Sequence, residues 1–289
     1  MYKQYVNQVK DKHPLYLIFI PILMIIVSVL LINGFWNVLI TLLLGRWIDT
    51  DNILGIGALL EMVLTFFTTL WLIKKVSGFS VRDLGFLKTN FMKYYLIGAL
   101  GGILSILFVF LVNILFGGVH TTFVFEPKSL FAILVALVFF LFQGMYEELL
   151  FRLYLMPHFS KAGGHIFAII TTAFLFMLLH GLNSGVNLLA FLNLLLFGII
   201  MALIYYYTGN AWIIGAIHSL WNFVLGPIVG SNVSGGVAEN TVFLSTPQPG
   251  HFLLNGGIYG LEGGIITTLV GIVVLIYFLY RQKFKQLKP

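Results

Sequence analysis

The sequence predicts an all-α, polytopic integral membrane bundle of about eight transmembrane helices, with both termini cytoplasmic. Three observations predict it. Of 289 residues, 60% are hydrophobic and 9% charged, and a mean hydropathy of +1.01 lies far above that of soluble domains. Charge-free runs long enough to cross a bilayer recur along the chain. Basic residues concentrate on alternate connections. Fourteen of the sixteen Lys and Arg fall at the N-terminus, between the second and third spans, at or after the end of the fourth, or in the C-terminal tail. Only Arg46 and Lys128 fall on the other side, together with Asp49, Asp51, Glu126, Glu239 and Glu262.

Composition also excludes chemistry. The chain has no cysteine, which removes disulfides, thiol nucleophiles and cysteine-ligated zinc. Its net charge of +6 comes from residues flanking apolar spans, so the partner it implies is the lipid bilayer and not nucleic acid.

Taken in order, Lys3, Lys10 and Lys12 precede a charge-free run from Pro14 to Gly45, too long for a signal-peptide core and therefore an anchored first span. The second span covers roughly Asn52 to Ile73, the third Tyr94 to Val119, and the fourth Ser129 to about Met156, ending near Pro157. From Ala162 to Ala238 there is no Asp, Glu, Lys or Arg. Gly and Asn clusters near Gly181 to Gly185 and Thr208 to Asn210 divide that stretch into three spans. The eighth, Gly263 to Tyr280, precedes a basic tail of Arg281, Lys283, Lys285 and Lys288.

The chain thus reads as one membrane-embedded domain over 1–289. Spans 1–3 occupy 1–120, spans 4–7 occupy 129–229, a Gly-rich extracytoplasmic loop occupies 230–264, and the last span with its tail occupies 263–289. Within 79–93, Phe79, Leu84 and Phe86 alternate with Arg82 and Lys88, which suits a short interfacial helix or, equally, a basic linker.

Polar residues inside the spans carry the functional signal. Glu147, Glu148 and Arg152 follow the uncharged run Ser129 to Tyr146, where each charge costs about 2.5–3.5 kcal/mol on insertion scales. Glu148 and Arg152 are four apart with the acid first, the favoured order for an ion pair along one helix face. Glu147 lies about 100° round the helix with no such partner, and is left to react. Phe176 and His180 share a face of span five, and His218 and Asn222 a face of span seven. If those faces meet at the depth of Glu147, a carboxylate, two imidazoles and an amide can activate a water and stabilise an oxyanion. Glu61, Asn113 and Asn193 show no partner set and read as packing or snorkelling residues. His13, His120, His158, His165 and His251 read as solvated interface histidines.

The arrangement Glu147-Glu148-xxx-Arg152, Phe176-xxx-His180 and His218-xxx-Asn222 resembles the three motifs of the CPBP family, which comprises CAAX proteases and bacteriocin-processing, abortive-infection-like proteins. The resemblance covers spans four to seven. It implies an intramembrane endopeptidase, in a bacterial cell membrane, that cleaves a membrane-anchored or hydrophobic peptide. Glu147 would be the general base with His180 assisting, His218 and Asn222 would hold the oxyanion, and Glu148, Arg152 and Phe176 would support them. No cofactor is required by this reading. A zinc site made of Glu147, His180 and His218 is the alternative, disfavoured because no HExxH helix is present. A non-catalytic membrane immunity or regulatory binding protein on the same scaffold is the alternative function, and a transporter is weakened by the lack of an inverted repeat.

Overall fold

The computed structural model describes residues 2–45, 55–237 and 239–286, and only the backbone of 281–286. Arg46, Asp49, Asp51, the start of the second span at Asn52, and Lys288 lie outside the described residues. The protein is a helical membrane bundle. A short amphipathic helix α1 (Tyr2–Gln8) precedes α2 (Pro14–Leu44), α3 (Ile56–Ser77) and α4 (Phe91–Leu115). Then come strand β1 (Val119–Phe123), α5 (130–163), α6 (165–179), α7 (Leu188–Thr208), α8 (Ala211–Phe223), strand β2 (Phe243–Pro247) and α9 (Ile265–Gln286). Among the described residues six helices are long and apolar enough to cross a membrane, the longest running Pro127–Leu182, and Ile265–Tyr280 is a shorter apolar helix.

That longest helix corrects one boundary. Pro157 does not end the fourth span. The preceding Leu149–Leu155 is π-wound, so the hydrogen-bond ladder is already interrupted where proline lacks its N–H. The break falls instead at Gly164, where φ +86° and ψ 170° define a conformation essentially restricted to glycine. It separates α5 from α6. The third span is also shorter than expected, because α4 stops at Leu115 and Val119 opens β1.

α8 is clamped at the centre by small residues. A Cβ at Gly98 or Gly102 of α4 would strike the carbonyl oxygen of Ile213 or Ile217, and one at Gly144 of α5 would strike the Ser219 amide. Close backbone approach of this kind is what packs helices where hydrophobic exclusion supplies no force.

The connections gather at two ends. At one, Tyr2 shares a hydrogen bond with Ser160 (2.7 Å), Tyr5 donates to the Gly209 carbonyl (2.6 Å), and Ala211 N–H donates to the Gly85 carbonyl (3.0 Å). The 79–93 segment therefore belongs to the bundle. It contains a single 3₁₀ turn, Arg82–Leu84, and buries Phe79, Leu84 and Phe86 in the protein core, so no free interfacial helix forms before α4. At the other end β1 pairs antiparallel with β2, Val119 opposite Pro247 and Phe123 opposite Phe243. Around this ribbon the 230–264 loop folds back between α7 and α8: Asn183 donates to the Ser234 carbonyl (3.0 Å) and Asn193 to the carbonyls of Glu262 (2.7 Å) and Gly264 (2.9 Å).

Candidate active site

The middle of α5 carries two hydrogen-bonded pairs at a spacing of four, one residue out of step with each other. Glu148 and Arg152 point into the packed interior. Arg152 Nη1 donates to Glu148 Oε1 (3.1 Å) and both side chains are fully buried. Arg152 Nη2 donates to the Gly198 carbonyl of α7 (3.2 Å), and the guanidinium lies 4.5 Å from the centre of the Phe176 ring. Phe176 is thus a lid on the cation. His218 reaches the same carboxylate, its Nδ1–H donating to Glu148 Oε1 at 2.9 Å.

Glu147 and Gln143 face a cavity of about 410 Å³. Gln143 Nε2 donates to Glu147 Oε1 (2.5 Å), and Gln143 Oε1 accepts from Asn222 Nδ2 (2.9 Å). Glu147 Oε2 has no hydrogen-bond partner. His180 Nε2 stands 3.7 Å from it and His218 Nε2 3.6 Å. His180 caps the C-terminus of α6, and its Nδ1–H donates to the Phe176 carbonyl one turn back (2.9 Å). That hydrogen bond fixes the tautomer. Both rings, held through Nδ1, turn Nε2 toward the free oxygen of Glu147.

The four residues that the sequence reading nominated are therefore together in one place: Glu147, His180, His218 and Asn222 all line the cavity. Glu148, Arg152 and Phe176 stand behind them. The division of labour differs in one respect. His218 bonds to Glu148, so the supporting pair also orients a candidate catalytic imidazole. Zinc was tested on the same atoms. Among the described residues no group of three His, Asp or Glu side chains is arranged to hold a metal ion.

Several residues have partners that the sequence did not disclose. Gln143 was hidden in a run read as apolar, although its spacing of four from Glu147 was there to see. Glu262, expected in a solvated loop, is half-buried and fully engaged: it accepts from Trp221 Nε1 (2.9 Å), Ser234 N (2.7 Å) and Ser234 Oγ (3.1 Å), and desolvation pushes its carboxyl up from the usual range. Glu61 does have a partner set, accepting from Asn33 (2.6 Å) and Asn37 (2.8 Å) of α2. His158 is no solvated interface histidine. It is buried against Phe79 and Tyr154, with Nδ1 bonded to the Tyr154 carbonyl (2.7 Å). Arg152 likewise leaves the count of loop charges, since it is enclosed in the bundle.

Residues 127–224 match the family model described as type II CAAX prenyl endopeptidase Rce1-like. No curated protein and no solved structure matched the chain. The matched segment runs from the start of α5 to the end of α8 and holds every motif residue from Glu147 to Asn222. Residues 127–224 are thus similar to the CAAX protease family, and the match supports a membrane endopeptidase of that type within an integral multi-pass membrane protein.

Proposed function

We propose that the protein hydrolyses a peptide bond in a hydrophobic or membrane-anchored peptide, using a water activated by Glu147 and His180. The observation that carries this is the free Oε2 of Glu147 facing Nε2 of two rings that are each held through Nδ1. With His180 neutral and His218 carrying a proton on each nitrogen beside the Glu148 carboxylate, Glu147 Oε2 and His180 Nε2 are two converging acceptors, and a water with two protons to donate satisfies both. Glu147 accepts one proton as the water oxygen attacks the scissile carbonyl carbon. Negative charge then moves to the carbonyl oxygen. Asn222 has a second amide hydrogen beyond the one given to Gln143, and His218, backed by the Glu148 carboxylate, can carry a proton on Nε2; both donate to the oxyanion. Collapse of the intermediate breaks the C–N bond, and Glu147 returns its proton to the leaving amine.

Bacteriocin or pheromone maturation in a bacterial cell membrane, with both termini cytoplasmic, is the setting this reading implies. The test compares peptides released from wild-type membranes with those from a Glu147→Ala strain making equal amounts of protein. Products present only in the wild type are expected, and they persist when membranes are treated with a strong chelator. A phenotype that survives the substitution would establish the non-catalytic immunity role in place of proteolysis.

A further inference from the structure

The 230–264 loop brings one side chain into the cavity whose polar group is unclaimed. Tyr259 is fully buried, lines the same cavity as Glu147, His180 and Asn222, and its hydroxyl makes no hydrogen bond. The neighbouring Ser234 hydroxyl donates to Glu262 and stands close enough to the phenol to favour its ionised form, but the two make no hydrogen bond of acceptable geometry. A buried hydroxyl left unpaired is costly, and an acceptor carried by a bound ligand would relieve that cost.

The backbone around this phenol is tightly held. The Tyr259 carbonyl accepts from Gly235 N–H (3.0 Å), and Leu261 N–H donates to Ser231 (3.3 Å). Gly185 has φ +73°, and a Cβ there would lie 2.7 Å from the Tyr259 nitrogen, so this loop lies directly on the turn that follows His180. Three residues on, Glu262 is tied to Trp221, the residue before Asn222. Tyr259 is therefore registered to the turn after His180 and to α8, which carries His218 and Asn222. Burial and the Glu262 carboxylate push its phenol up from the ordinary value, which keeps the proton on and makes the group a donor at neutral pH.

An extended peptide entering a water-poor cavity presents backbone carbonyls that need donors. Much of this cavity's wall cannot supply them, being Phe139, Leu194, Phe197, Ile200 and Met201. We infer that Tyr259 is a substrate-positioning residue whose hydroxyl donates to a backbone carbonyl of the bound peptide beside the scissile bond. This inference rests on the endopeptidase reading above. It assigns to the loop a share in peptide binding that the motif residues do not supply.

The test uses the full-length protein in detergent and Tyr259→Phe, which removes the hydroxyl and keeps the ring. Binding of a fluorescein-labelled Leu/Ala peptide is measured in a Glu147→Gln background with and without the second substitution. About a three- to tenfold weaker dissociation constant is expected, in line with one neutral hydrogen bond. With a cleaved peptide, KM should rise by the same factor while kcat and the melting temperature hold. Unchanged affinity would overturn the inference, as would no measurable binding to the Glu147→Gln protein. A fall in kcat at constant KM, or a lowered melting temperature, would overturn it too by making the hydroxyl catalytic or structural. Failure of the wild type to cleave any peptide would count against the endopeptidase reading, while the binding comparison would still decide Tyr259.

Discussion

Glu147 and Glu148 are neighbours on one helix, and the regions they face are built on opposite rules. Behind Glu148 the interior is closed: an arginine, an imidazole and an aromatic ring share one carboxylate, and no part of either charged side chain is accessible. In front of Glu147 the packing opens into a cavity, 19% of the side chain remains accessible, and one oxygen is unbonded. The π-wound turn that starts at Leu149 lies just beyond both. Two identical side chains in adjacent positions thus acquire different roles from surroundings alone: each keeps one oxygen without a partner, but Glu148 is enclosed with an arginine and an imidazole on its other oxygen, while Glu147 opens onto the cavity. What separates a structural carboxylate from a reactive one here is the cation beside it and its access to the cavity.

The comparison is broken most severely at the open side. Glu147→Gln keeps the shape and the contact with Gln143 but removes the base, and turnover is expected to fall about a thousandfold with an unchanged melting temperature. Hydrolysis of a verified peptide substrate at near wild-type rate would remove Glu147 from the mechanism. The closed side should respond in the other currency of measurement. Glu148→Gln leaves Arg152 as a buried unpaired cation, which should destabilise the protein by about 3–5 kcal/mol in a denaturation assay. Changing Glu148 and Arg152 together to Met should recover most of that stability and still impair turnover, because His218 loses the acceptor for its Nδ1–H. The smallest effect sharpens the contrast. Gln143→Leu removes the amide that orients both Glu147 and Asn222, and about a tenfold loss of kcat is expected with little change in unfolding temperature.

The functional residues were legible because helices repeat locally. A spacing of four put Glu148 with Arg152, Phe176 with His180, and His218 with Asn222 on common faces, and the structure brings the last two faces to the cavity that Glu147 lines, with Glu148 and Arg152 packed behind it. The positive-inside pattern likewise sorted the connections into two groups, and the structure gathers 2–8, 79–90, 158–165 and 208–211 at one end of the bundle. What could not be read was set by long-range or strained geometry. Pro157 is the stronger helix-breaking signal in sequence, yet a π-wound turn absorbs it and Gly164 breaks the helix instead. Glu262 looked like any acid in a Gly-rich loop. Only the return of that loop onto α8 sets it against Trp221, and no local pattern encodes a contact across 41 residues. Glu61 and its two asparagines illustrate the same limit, since Asn33 and Asn37 share a face but lie on another helix.

Residues 148–160 of α5 are all buried inside the protein, and much of what encloses them is made late. Gly198 and His218, which bond Arg152 and Glu148, follow Arg152 by 46 and 66 residues (198 − 152 and 218 − 152). At roughly 5–20 residues per second, synthesis leaves about 3–13 s between the arrival of the charges and the arrival of His218. During that interval the nascent helix has its internal ion pair and little else to shelter it. Biogenesis of this protein is accordingly a matter of timing. A chain released before α7 and α8 emerge presents an unsheathed charged helix to lipid, which makes it a ready target for membrane quality control.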